Sequence, residues 1–223
     1  MPWRKKVIAV PTITEIIAYA DRKFPNSETD ANKIIDINGM HKKIYVQIAR
    51  LKNDYEIYET VTIANQLTYS LPSNCTIDNI ISISVSQSTT ITASTEWDTY
   101  EYAALTDKVD TGYYYARATS STFALTKDGL PISTAELSIR IFYYKTPAAL
   151  SAVGDTPELD SDYHDLLKYS LIQDLASQGH NPDTEIADYW QKKYDEFLDE
   201  VKENLSDRSN SASNLGNQVS EYW

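Results

Sequence analysis

The spacing of apolar positions changes twice along the chain. In TITEIIAYADRKF, Ile13, Ile16, Ile17, Ala20 and Phe24 recur every three or four residues. That spacing predicts a short helix with one apolar face, which PNSETD then interrupts. From Asp30 to Asn53, Ile34, Ile37, Ile44, Ile48 and Leu51 repeat the habit over a longer stretch, so a second helix follows and ends near Asn53. Beyond it the period becomes two. YEIYETVTIANQLTYSLP, NIISISVS, STEWDTYEY, TGYYYARATSSTFALTKDGLP and AELSIRIFYYK alternate Thr, Tyr and Ile with polar residues, which predicts six or seven strands. Asp128-Gly129 and Ala64-Asn65-Gln66 read as turns. The Ser/Thr-dense SQSTTITAST reads as a strand or a hairpin tip.

The helical period returns within FYYKTPAALSAVGDTPELDSDYHDLL, residues 142–167. Asp160 or Ser161 is placed to cap a helix whose apolar face is Tyr163, Leu166, Leu167, Leu171 and Leu175, and Gly179 is placed to stop it. Asn181 and Pro182 then open the longest element, with Ile186, Trp190, Tyr194, Phe197, Val201 and Leu205 as its stripe. Two helical pairs flanking a β block bury their apolar faces most simply against each other. The expected fold class is therefore α+β: a helical bundle of two N-terminal and two C-terminal helices (residues 1–53 and 147–208), an inserted antiparallel β domain (54–146), and an extended C-terminal arm (209–223). The arm, SNSASNLGNQVSEYW, has no period. It reads either as a disordered tail or as a tether whose anchors are Val219, Tyr222 and Trp223.

Charge is distributed unevenly. Residues 1–53 carry ten Lys/Arg against five Asp/Glu, and the remaining residues carry ten against 27. So acidic a surface repels nucleic acid, which argues against adhesive DNA or RNA binding. The basic N-terminal stretch reads either as solvated lysines or as a docking patch. In the long helix, residues 183–208 hold nine acidic against four basic side chains. Asp188, Asp195, Asp199, Glu203 and Asp207 either line a channel or face solvent. MPWRKKVIAVPTIT has too few apolar residues before Pro11 for a signal-peptide core, and no run approaches the roughly 18 apolar residues of a membrane span. An intracellular protein with no membrane association is expected.

Catalytic chemistry is hard to place. His41, His164 and His180 are isolated in sequence, and no HExxH, paired CxxC, GxSxG, GxGxxG or GxxxxGK[ST] string occurs. Asp155, Glu158, Asp160 and Asp162 lack the glycine and bidentate glutamate of an EF-hand and suit the positive end of the helix that follows. Cys75 has no flanking His or Lys to activate it and reads as a half-buried strand thiol. Seventeen tyrosines serve strand packing and adhesive interfaces equally well. No catalytic residue, cofactor or metal is expected.

YSLPSNCTIDNIISI, where a Tyr-x-Leu-Pro string closes one strand and leads into the next, resembles the head-to-tail adaptor (connector) proteins of tailed bacteriophages. RIFYYKTPAALSAVGDTPELDSDYHDLLKYSLIQDLASQG resembles them more closely: a strand ending in aromatic-Tyr, a Pro, an acidic-Pro loop, then Tyr-His opening a helix. The resemblance implies a structural virion protein that forms a homo-oligomeric ring, commonly of twelve copies, under the portal protein and extends the DNA channel toward the tail. Its implied partners are the portal and the tail or further neck proteins, with DNA passing through without sequence-specific binding. Its implied location is the virion neck, after assembly in the host cytoplasm. The alternative from another class is a β-rich binding module, for carbohydrate or tail-fibre attachment, on a helical scaffold.

Overall fold

The computed structural model describes residues 11–103, 112–178 and 182–219, with side chains as far as residue 205. Contacts divide the chain into two units, Met1–Lys52 with Pro147–Trp223, and Asn53–Thr146.

The first unit is helical: α1 (Ile13–Lys23), α2 (Asp30–Lys52), α3 (His164–Ser177) and α4 (Thr184–Val219). Glu15 starts α1 by accepting a 2.9 Å hydrogen bond from the Thr12 backbone N–H, which satisfies one donor near the exposed helix end. The positions spaced for one face in α1 are the ones buried: Ile13, Ile16, Ile17 and Ala20. They join Ile37, Ile44 and Ile48 of α2, Leu166, Leu167, Leu171 and Ile172 of α3, and Leu198 and Val201 of α4 in one core. α3 lies at the middle and packs on α4 above all. Truncating one of its fully buried leucines to alanine would cost roughly 2–5 kcal/mol. The loop before α3 is tied down by Asn38 of α2, whose amide donates to the Leu150 carbonyl and accepts the Leu150 N–H at 2.7 Å.

Two expected helix starts are corrected. Asp160 precedes a short 3-10 turn, Ser161–Tyr163, without a side-chain cap, because its carboxylate is engaged by Lys52 instead. For α4, Asp183 fills the capping role, accepting the Ile186 N–H at 3.0 Å; Gly179 and Asn181 lie outside the described residues. The backbone of α4 also continues to Val219, so residues 209–219 are helical where an extended arm was expected. Once a helix is nucleated, each further residue adds one hydrogen bond at little cost, so a polar Ser/Asn sequence can propagate it without showing a period. Tyr222 and Trp223 lie outside the described residues.

The second unit is one curled sheet. Its strands are β1 (Glu56–Val61), β2 (Thr68–Ser70), β3 (Ile80–Ser86), β4 (Trp97–Tyr102), β5 (Tyr113–Arg117), β6 (Thr122–Lys127), β7 (Leu130–Pro131) and β8 (Ser138–Tyr143). They lie in the order β1-β8-β3-β4-β5-β6-β2, with β7 paired to β6. The sheet is mixed, which corrects the expectation of an antiparallel domain: Glu101 pairs with Tyr114 and Tyr102 with Tyr115 in parallel. Side-chain alternation has the same period in both kinds of ladder, so strand direction is invisible in it. Inward-facing Ile83, Phe123, Leu125, Ile139 and Ile141 are fully buried and form a second core. SQSTTITAST spans the β3–β4 hairpin tip, closed where the Gln87 N–H donates to Glu96 O at 3.0 Å. Asp128 and Gly129, at φ 52° and 74°, make the β6–β7 turn with both central residues left-handed.

Candidate functional site

α4 is the element that stands out in the helical unit. Its 36 residues span about 54 Å at 1.5 Å per residue. Ala187, Leu198 and Val201 are buried, and Trp190, Tyr194, Phe197 and Leu205 are half-buried against the core. Trp190 sits 5.4 Å from the Tyr169 ring of α3 and 6.5 Å, edge-on, from Tyr19 of α1. Such aromatic contacts fix the direction in which the helix leaves its neighbours.

Opposite that apolar stripe, Asp188, Asp195, Asp199 and Glu203 are all exposed. At 3.6 residues per turn they fall within roughly a quarter of the helix circumference. The structure therefore gathers these four on one side; the side chain of Asp207 lies outside the described ones. One stripe carboxylate is paired with a lysine, and neighbouring contacts hold others in place. Lys202 lies 2.6 Å from Asp199, Lys193 lies 2.8 Å from Glu196, and Gln191 donates to Asp195 at 3.0 Å. The Lys193 contact holds the Glu196 carboxyl below its usual range. Such exposed pairs are screened by water and salt, so the face remains a solvated, predominantly acidic surface.

The acidic cluster before α3 separates into individual tasks. Asp155 accepts the backbone N–H groups of Ser151 and Ala152 at 2.7 and 2.9 Å, which hold its carboxyl below the usual range. Glu158 accepts the Ala148 N–H at 2.9 Å. Among the described residues no group of three or more His, Cys, Asp or Glu side chains is arranged to hold a metal.

Two histidines that are isolated in sequence meet in the helical core. His41 is fully buried with neither ring nitrogen hydrogen-bonded, and burial pushes its pKa down to about 4, with neighbouring Glu158 working in the opposite sense and His164 reinforcing the fall. His164 is also buried, its Nε2 2.6 Å from the Leu159 carbonyl, and burial lowers it as well. No spacing rule finds this pair, since α2 and α3 bring it together. His180 lies outside the described residues.

In the β unit, Cys75 is buried and its thiol is pushed up to about 12 by that burial, so it is no nucleophile at neutral pH. An open cleft of about 690 Å³ lies where β3 ends and β4 begins, lined among others by Asn65, Gln87, Asp98, Tyr113 and Lys127. Gln87 donates to Asp98 at 2.7 Å, and Lys127 lies 4.9 Å from the centre of the Tyr113 ring. Neither a nucleophile with an adjacent base nor a set of metal ligands converges there among the described residues.

Comparison with known proteins adds the following. The family model described as SU10 adaptor protein matches residues 11–217, nearly the whole chain and both units. No curated protein matches the chain. Among the described residues no helix is long and apolar enough to cross a membrane.

Proposed function

The chain belongs to the SU10 adaptor protein family, and on that premise we propose that it is the ring-forming head-to-tail adaptor of a phage neck. In this reading it docks beneath the portal protein, receives the tail or further neck proteins, and continues the DNA channel. Twelve copies is the number expected of such a ring. The role is structural rather than catalytic, and its place is the virion neck.

The observation that carries the reading is the exposed acidic face of α4, with Asp188, Asp195, Asp199 and Glu203 on the side away from the core. A conduit for DNA must not hold it. Carboxylates repel phosphates, whereas a lysine-lined wall would release counterions and bind them. In the proposed ring these four residues and Asp207 line the channel, while the C-terminal end, with Val219, Tyr222 and Trp223, contacts the portal or a neighbouring subunit.

Sedimentation velocity and negative-stain imaging, with and without portal-bearing particles, test the proposal. The expected outcome is a ring seated on the portal vertex. A protein that stays monomeric with portal and fails to co-sediment with it would overturn the reading. The cleft beside β3 and β4 favours one second reading, a β-rich binding module, which a glycan array would reveal as binding lost on Asp98→Ala.

A further inference from the structure

A groove of about 260 Å³ runs between the turn that opens α3 and the second half of α4. Its floor is apolar, made by Tyr163, Phe197, Val201 and Leu205, and its rim carries Asp162, Glu200 and Asn204. Asp162 and Glu200 are exposed. The rim is acidic in an already acidic part of the chain, and like charges cluster there over half-buried aromatic surface. A cavity of roughly 150 Å³ holds a benzene ring, so the groove has room for one large aromatic side chain. Lys52, 4.8 Å from the Tyr163 ring, is tied to Asp160 and leaves the net charge of the rim negative.

The chain itself carries the complement. Trp3 is followed directly by Arg4, Lys5 and Lys6, an aromatic anchor beside three cations at the basic end of the sequence. Residues 1–10 lie outside the described residues. From Thr12, where α1 begins in this same helical unit, nine residues extend to roughly 30 Å at 3.3–3.6 Å each. α1 is adjacent to α4, since Tyr19 meets Trp190 edge-on at 6.5 Å.

We propose that this groove seats the chain's own N-terminal segment, with Trp3 against Tyr163, Phe197 and Leu205, and with Arg4, Lys5 and Lys6 facing Asp162 and Glu200. Tethering supplies the segment at an effective concentration in the millimolar range, so a weak anchor suffices. The contact closes apolar surface on the isolated chain. It stands apart from ring formation, because it concerns one chain alone.

Disulfide trapping tests it in the full chain. With Cys75→Ala as background, Pro2→Cys is combined with Asn204→Cys at the groove, or with Ile35→Cys, an exposed position on α2. The intrachain disulfide to position 204 is expected to form about tenfold faster than that to position 35. Trp3→Ala, the pair Asp162→Lys and Glu200→Lys, or about 0.5 M salt should each remove most of that advantage. Amide exchange over residues 197–205 should also quicken when residues 1–6 are deleted. Equal trapping at the two positions, trapping between two chains, or a rate indifferent to Trp3→Ala would overturn the proposal.

Discussion

Lys33 of α2 is only 3% exposed, and its Nζ lies 2.7 Å from the carboxylate of Asp21 on α1, which is 40% exposed. The pair ties the α1–α2 hairpin at the point where Asn26 also donates to Asp21 at 2.9 Å. A buried ammonium costs far more without its partner than the pair contributes when intact. Asp21→Ala is therefore expected to lower unfolding free energy by about 1–3 kcal/mol, while Lys33→Met costs less. Urea denaturation of the two single variants and the double variant checks this. A double variant as unstable as the sum of the singles would rule out coupling.

The buried histidines predict acid sensitivity. Burial lowers the folded-state pKa of His41 to about 4 and depresses His164 too. Between the unfolded and folded pKa values of each the unfolded chain binds more protons, so stability is fully present above the unfolded value of about 6.5 and falls as pH drops below it, for His41 toward 4. In that window His41 should remove up to ~1.4 kcal/mol per pH unit, and His164 acts in the same direction. Glu158, Asp160, Asp165, Lys42 and Lys168 also act on the pair, so the clean measure is a difference. From pH 6.5 to 5, chemical denaturation should show a shallower decline for His41→Leu than for the parent. Parallel curves would show that His41 does not titrate in this way.

Much of this architecture is legible in the residues themselves. The switch from period 3.6 to two and back marks helices, strands and helices, because a helix and a pleated strand each bury one set of positions. Ile13, Ile16, Ile17 and Ala20, or Ile139 and Ile141, are buried where the spacing puts them. What stayed hidden has physical reasons. The parallel β4–β5 pairing leaves alternation unchanged. The continuation of α4 to Val219 runs through Ser and Asn, which carry no stripe. His41 and His164 meet only through tertiary packing, and Lys33 reads as a surface lysine until Asp21 is seen beside it. Of the site, the acidic stripe on α4 was legible as a set of positions, whereas the groove beside Tyr163 exists only once α3 and α4 pack.

The β6–β7 turn should resist substitution. Gly129 has φ 74°, Asp128 has φ 52°, and the Asp128 carboxylate accepts the Gly112 N–H at 2.7 Å while its own N–H donates to Gly112 O at 2.7 Å. A β-branched residue at 129 must adopt a left-handed backbone that its side chain opposes. Gly129→Val is expected to cost about 1–3 kcal/mol, and Asp128→Asn less, since Asn tolerates the conformation and keeps an acceptor. Thermal unfolding of the three proteins gives the order; a Gly129→Val midpoint equal to the parent's would contradict it.

The proposed channel face makes a charge prediction. Replacing Asp188, Asp195, Asp199 and Glu203 together by lysine changes exposed side chains only, so the isolated chain should keep its helical content and lose little stability. Assembled particles should then retain double-stranded DNA at low salt and release it as salt rises, because each phosphate contact frees counterions. The parent particles should show no such retention. Identical DNA release by both, over a range of salt, would place these four residues away from the channel.

The last prediction concerns the distal end of α4. The sequence from 209 to 223 is almost entirely polar before Val219, Tyr222 and Trp223. So polar a stretch has little apolar surface to bury, and propagating a helix through it adds little net stability. Deleting residues 209–223 should therefore shift the thermal midpoint of the isolated protein by no more than about 2 °C. In the proposed assembly the same deletion removes the aromatic anchors, and repetition around a ring multiplies a weak anchor into a strong tether. Co-sedimentation with portal-bearing particles should fall by about tenfold or more, and Tyr222→Ala with Trp223→Ala should reproduce most of that loss. Truncated protein that co-sediments as well as the intact chain would show that the end of α4 is not the tether.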